Sequence, residues 1–318
     1  MKKEFSNRIV LMQFICTLSI VLYHIGWKEE FSKNMVNYTI FMVLKEIGVM
    51  AVPAFSVMSG FLFFYKVDSW KTVFAKMYRR IFSLVIPYII WQLGGILYRS
   101  RSLFRSFDWK EIIKKVYIGE DMPHLWYLRM LIMFMVLAPI VYFAFKKKLW
   151  GAVLLGGLIM AICFFQERVL SSQYCKFLYI VGAYLGLHVN IDMKFENRRI
   201  PMWSAVTIFI FLLIMSYLNI MNIISFICHT GMGIMVFYIL GSLKNIRIYG
   251  WMKNTFWIYA IHYWLDVIVS YCLLQYLPKA VLLNQWLTLI LVTAIGITSS
   301  IILKKWTPRI YYILVGNR

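Results

Sequence analysis

Residues 9–26 read IVLMQFICTLSIVLYHIG, an uncharged run broken only by Gln13, Thr17, Ser19 and His24. A helix climbs about 1.5 Å per residue and a bilayer's hydrocarbon core is about 30 Å thick, so this run has the length and polarity of a membrane span. Met1-Lys2-Lys3 ahead of it resembles the basic start of a signal peptide. No small-x-small cleavage site follows, and Tyr23-His24 closes the run, so it reads as an uncleaved first span.

Nine further runs qualify on the same measure: roughly 47–65, 81–98, 125–145, 149–165, 174–189, 202–220, 226–243, 255–275 and 283–303. The fifth and sixth of the ten are the shortest. Composition agrees, since 62% of the 318 residues are hydrophobic, 15% are charged, and the mean hydropathy is +0.72. A soluble globule carries about 25% charge. A soluble enzyme, a disordered chain and a fibrous repeat are therefore excluded, and the expectation is an all-α, polytopic integral membrane protein of about ten transmembrane helices. No internal repeat or appended soluble segment is visible, so residues 1–318 read as a single domain lodged in the lipid bilayer of the cell membrane.

Charge supplies the orientation. There are 34 Lys and Arg against 13 Asp and Glu, a net charge of +21. In a soluble chain such an excess would suggest nucleic acid. Here the segments before, between and after alternate spans, such as Lys2 to Arg8, Lys66 to Arg80, Lys146 to Lys148, Lys194 to Arg199 and Lys304 to Arg318, collect most of it. By the positive-inside rule this places both termini in the cytoplasm and removes the need for a nucleic-acid partner. One outer segment, Arg99 to His124, departs from the trend with six cations. Its Trp109, Ile112, Ile113 and Val116 recur at helical spacing, which predicts a short amphipathic helix at the outer interface, either a lid or a plain connector. The five cysteines show no CxxC pair and no His at ligand spacing, so they read as small apolar residues with no metal or disulfide role.

Ionisable groups inside spans are costly and by default face the bundle interior or a water-filled path. At about 100° per residue, Gln13, Thr17 and His24 fall within about 40° of one another. In the ninth span Thr255, Tyr259, His262, Asp266 and Ser270 fall within about 80°. His262 and Asp266, four apart, are neighbours on the helix surface, a spacing that suits a carboxylate that orients an imidazole or stabilises its protonated form. Histidine can take a hydroxyl proton and return it near neutral pH, and His24 near the outer boundary is placed to meet an acceptor arriving from outside. Lys76, Arg79 and Arg80 precede the third span, with Lys76 and Arg79 on one face. Such cations either anchor the helix at the inner surface or grip phosphates of a nucleotide-containing ligand. Arg129, beside Trp126 in the fourth span, is expected to face a carboxylate or an anionic ligand.

Several segments together resemble the membrane-bound acyltransferase family 3, integral-membrane O-acyltransferases of bacterial surface glycans. They are Ser19 to His24 closing the first span; Val52 to Leu62 in the second, with Phe55, Ser59 and Gly60; Lys76 to Arg80 followed by Pro87-Tyr88; His124 to Leu128; and Phe256 to His262 in the ninth. They occur in the family's order. The resemblance implies transfer of an acyl group, most often acetyl, from cytoplasmic acyl-CoA to a hydroxyl of a surface glycan or its lipid-linked precursor, with no permanently bound cofactor. It implies His24 as the essential first-span histidine; with the ninth-span stripe read above, His24, His262 and Asp266 are the expected catalytic residues. Lys76 and Arg79, with Arg80, match the family's basic pair on the donor, and Gln13, Ser59, Trp126, Arg129 and Tyr259 are expected at the substrates. Gln13 stands where the family usually carries Arg or Lys: it can orient a carbonyl but not neutralise a phosphate. The competing expectation is a glycolipid or polysaccharide transporter, or an assembly partner, whose polar stripes line a path instead of a reaction centre.

Overall fold

The computed structural model describes residues 3–25, 34–100, 102–105, 108–165, 171–188, 200–218, 222–243, 247–277 and 280–316. Lys2, Arg101, Lys194, Arg198, Arg199 and Arg318 of the charge expectation lie outside the described residues. The helices are α1 Lys3–His24, α2 Met35–Val49, α3 Ala51–Phe64, α4 Trp70–Arg80, α5 Ile86–Arg99, α6 Trp109–Ile118, α7 Trp126–Val136, α8 Ala138–Phe145, α9 Lys148–Phe164, α10 Ser171–His188, α11 Met202–Leu218, α12 Asn222–Ser242, α13 Thr255–Tyr276, α14 Val281–Trp306 and α15 Pro308–Val315. A π-helical turn, Ile81–Val85, joins α4 to α5. No strand occurs among the described residues, and the protein is an all-α polytopic membrane protein.

Each of the ten expected intervals contains helix. Among the described residues, six helices are long and apolar enough to cross a bilayer: Lys3–His24, Met35–Phe64, Trp70–Arg99, Ile223–Ser242, Thr255–Tyr276 and Val281–Trp306. A seventh is the pair Pro123–Val136 and Ala138–Phe145, bent by 61°. Pro139, second residue of α8, explains the bend, because proline has no N–H for the preceding turn and its ring crowds the carbonyl four residues back. The remaining intervals hold α9 and α11, apolar but shorter, and α10, interrupted by Ser171, Ser172, Gln173 and Lys176.

Two compact units divide the chain: residues 1–66 with 144–297, and residues 67–143 with 298–318. In the first, α1 is wrapped by apolar neighbours. Met12, Cys16 and Ile20 pack with Ala51 and Leu240, and Phe5 sets its edge against the rings of Phe61 and Phe237 at 6.2 and 5.7 Å. α3 and α10 meet backbone to backbone. A Cβ at Gly60 would collide with the carbonyl oxygen of Tyr179, and one at Gly182 with that of Val57. In lipid, where hydrophobicity does not drive helices together, such close small-residue contact supplies the dispersion energy of the pair. Gly60, which the sequence marks only as part of a motif, thus has a packing reason. Gly60→Ala forces a backbone shift of the over-packing class, expected to cost about 3 kcal/mol or more; a melting curve in detergent reads it as a transition lowered by several degrees.

The same unit buries a polar knot between α2, α11 and α12. His229 Nε2 lies 2.8 Å from Glu46 Oε2 and 2.9 Å from Ser216 Oγ, and the Ser216 hydroxyl donates to the same Glu46 oxygen. Removing one partner of such a knot strands the rest in low dielectric, so its members act as a unit.

The second unit is organised around α5. Tyr88 Oη donates to Val116 O at 2.8 Å, Gln92 Nε2 to Met122 O at 3.3 Å, and Trp91 Nε1 to Leu314 O at 3.0 Å. α6 is the amphipathic helix expected from residues 109–116. Asp108 caps its start by accepting from Glu111 N at 3.1 Å, and Gly119 ends it with φ 78°, a left-handed conformation that glycine adopts without strain. Only Ile112 of its apolar stripe is fully buried, whereas Trp109, Ile113 and Tyr117 point outward. That leaves an apolar edge for the membrane interface.

Candidate active site

α1 ends on the histidine that the sequence singles out. His24 is exposed, and its ring centroid lies 5.1 Å from that of His262 on α13, tilted by 50°. Tyr23 and Tyr263 add edges to His24 at 5.2 and 6.2 Å. The two helices run side by side in the same direction, since Phe14 meets Trp251 at 5.3 Å one stretch earlier. His262 is seven residues into α13, about 10 Å from its start and about 21 Å from its end. The histidine pair thus lies at the end of α1 and about a third of the way along α13.

His262 itself is fully buried. Its Nδ1 lies 2.6 Å from the Tyr259 carbonyl oxygen. A carbonyl can only accept, so Nδ1 carries the hydrogen and Nε2 holds the lone pair of the neutral ring. Tyr259 also stacks on the imidazole, 5.9 Å away at 27°. The expectation that Asp266 orients this imidazole is corrected: the backbone carbonyl does so, and among the described residues neither Asp266 oxygen has a hydrogen-bond partner. Asp266 is only 4% exposed, and its charge partner is Lys45.

Lys45, on α2, is the residue that sequence reasoning missed. Its ammonium donates to the Tyr23 carbonyl and sits over the rings of Tyr23 and Phe41, at 4.8 and 5.1 Å from their centroids. A cation at the carbonyl end of a helix is favoured by the helix dipole, and here it pins the last turn of α1, which carries His24. A signal was available: Lys45 and Glu46 are the only charges in the apolar stretch from Met35 to Phe64. Of the other expected residues in this unit, Gln13 is half-buried with its carbonyl accepting from Thr17 Oγ1 at 2.9 Å, and Ser59 is half-buried beside Gly60. Described side by side, the structure gathers His24, His262 and Tyr259, with Asp266 one helical turn further along α13.

The second unit holds the remaining expected residues. α4 starts from a hydrogen-bonded cap: Thr72 N donates to Ser69 Oγ, while Asp68 Oδ1 accepts from Ser69 Oγ at 2.9 Å and from Thr72 Oγ1 at 2.7 Å. Those bonds, from Thr72 foremost, hold the exposed Asp68 carboxyl below the usual carboxylate range. α4 ends on Arg79 and Arg80, with Lys76 one turn earlier. Lys76 and Arg80 are half-buried and Arg79 is exposed, so three cations crowd the last turn, where the carbonyl end of the helix favours them. The π-turn follows immediately, a feature that often marks functional positions. Trp126 opens α7, edge-on to Tyr127 at 6.1 Å.

Arg129 finds its partners in backbone carbonyls and not in a carboxylate. Its Nη1 donates to the carbonyls of Tyr117, at 3.2 Å, and Ile118, closing the C-terminal end of α6. The orphan carbonyls of that helix are what satisfy the guanidinium. Arg129→Ala is expected to fray α6, seen as about tenfold faster amide exchange over 109–118 with the rest of the chain unchanged, since a charge-assisted hydrogen bond contributes about 1.5–3 kcal/mol.

The acyltransferase domain family (Acyl_transf_3) matches residues 7–305, and the chain belongs to that family. Among characterised proteins it is similar to the succinoglycan biosynthesis protein ExoH of Rhizobium meliloti (strain 1021), 24% identical over 217 residues. The match covers 61% of this chain and 57% of the relative, so the chain spans a little over half of that protein's length. No solved structure matches the chain.

Proposed function

We propose that the protein moves an acyl group from acyl-CoA, acetyl-CoA first among donors, to a hydroxyl of a surface polysaccharide or its lipid-linked precursor. The observation that carries this reading is the exposed His24 against a buried His262 whose Nδ1 is locked by a backbone carbonyl. His24 is the imidazole that a substrate can reach, so it is the general base; His262, itself stacked on Tyr259, packs against it, and Lys45 fixes the turn it stands on.

In the reaction, the acceptor hydroxyl gives its proton to His24 as its oxygen attacks the thioester carbonyl. The tetrahedral intermediate expels the CoA thiolate, which recovers the proton from the imidazolium, leaving an ester and free CoA. The nucleotide end of CoA is too polar for lipid. Lys76, Arg79 and Arg80 are assigned to its phosphates, with Arg offering paired hydrogen bonds and Lys a compact charge. The relative's role in succinoglycan biosynthesis and the membrane family both support a glycan acceptor.

Membranes containing the protein, given radiolabelled acetyl-CoA and the host's envelope polysaccharide, are expected to transfer label to alkali-labile esters on the glycan. Failure to label glycan from acetyl-, propionyl- or succinyl-CoA would contradict the reading.

A further inference from the structure

Two buried side chains on the α13–α14 hairpin have none of their hydrogen-bonding capacity met among the described residues. Asp266, 4% exposed, has both carboxylate oxygens without a partner, and Gln285, 2% exposed, has neither its amide nitrogen nor its amide oxygen bonded. Asn284, 5% exposed, donates from Nδ2 to Leu277 O at 2.8 Å while its Oδ1 is likewise unmet. Buried polar groups are nearly always paired, and each left alone costs on the order of 1–3 kcal/mol, more if charged. Such a concentration marks a place that something else completes.

The helices place these atoms in sequence. A Cβ on Gly296 would lie 3.1 Å from Ile258 Cγ1, which fixes the facing surfaces of the antiparallel α13 and α14. Stepping eleven residues returns to the same face within about 20°. Gln285 is eleven before Gly296 and Val269 is eleven after Ile258, so Gln285 lies on the α14 face turned toward α13, at the level of Val269. Along α13 the order is then His262, Asp266 about 6 Å beyond it, and Gln285 with Asn284 about one further turn on, toward the joined end of the hairpin.

The chemistry of the set selects its ligand. A carboxylate accepts two hydrogen bonds; an amide donates and accepts. A thioester or acyl chain has no donor to offer Asp266. A phosphate dianion brings acceptors and no donor for the Asp266 oxygens, and a metal cation would leave the Gln285 NH₂ group unsatisfied. Hydroxyl groups, which donate and accept at once, meet every atom. We propose that this hairpin holds the acceptor saccharide, Gln285 with Asp266 and Asn284 hydrogen-bonding hydroxyls of the sugar chain whose acceptor hydroxyl is presented to His24. The assignment rests on the acyl-transfer reading above, and it names Gln285 as the residue that determines acceptor recognition.

Gln285→Leu keeps the size of the side chain and removes both polar atoms. Three measurements are made on wild type and variant: ester content of the host's surface polysaccharide, coenzyme A binding by the purified protein, and melting temperature in detergent. The expected result is about a tenfold or larger loss of glycan ester, coenzyme A affinity within about twofold of wild type, and a melting temperature equal or raised, because an unmet amide has been replaced by an apolar group. Unchanged ester content overturns the assignment and leaves the amide to ordered water. Loss of ester together with a lowered melting temperature and weakened coenzyme A binding overturns it in favour of a packing role. If wild-type cells themselves carry no ester that depends on this protein, the acyl-transfer reading fails and this assignment with it.

Discussion

His24→Ala is expected to reduce acyl transfer by about 10²–10⁴-fold, the range over which a positioned general base contributes. The protein should stay in the membrane at its normal level and bind coenzyme A as before, because His24 ends its helix on an exposed face and its loss opens no buried cavity. Steady-state assays with acetyl-CoA and an excess of acceptor separate this from a folding defect: kcat falls and the KM for donor does not. His262→Ala is the informative companion. It removes a fully buried ring, so it should also lower the melting temperature, which His24→Ala should not. Equal activity of His24→Ala and wild type would remove the base from the mechanism.

The second large effect belongs to the cations of α4. Replacing Lys76 and Arg79 together by alanine is expected to raise the KM for acyl-CoA by about 100-fold, from two charge-assisted contacts of about 1.5 kcal/mol each. The KM for acceptor and the topology should be unchanged. The effect should shrink at high salt, where exposed charges are screened within about 3 Å at 1 M. If instead the double variant inverts or fails to insert, the cations serve as inner-face anchors and the donor is held elsewhere.

Hydropathy revealed the helices because it depends only on local composition, and every expected interval is helical. Among the described residues it did not separate helices of full spanning length from shorter ones. That depends on Pro139 bending α7 against α8, and on the 17-residue lengths of α9 and α11. The periodicity of residues 109–116 located α6 correctly for the same local reason. Contacts between distant segments were harder to read. Spacing brought His262 and Asp266 to one face but could not decide whether the imidazole would choose the carboxylate or the Tyr259 carbonyl. Arg129 was expected to face a carboxylate or an anionic ligand because burial of charge is costly; the open carbonyls of a helix C-terminus, which Gly119 marks, take its Nη1. Lys45 falls between the expected intervals 9–26 and 47–65, whereas α2 already starts after Asn34, whose side chain accepts from the N–H groups of Val36 and Asn37. The five family segments, by contrast, carried the family to within its matched bounds, residues 7–305.

The central claim is that His24 drives acyl transfer to a surface glycan. Mass spectrometry of the intact surface polysaccharide, from cells bearing wild type and from cells bearing His24→Ala at equal protein level, tests it most directly. An ester-sized mass present with wild type and absent with His24→Ala is the result expected here; identical glycan masses from the two strains would contradict it.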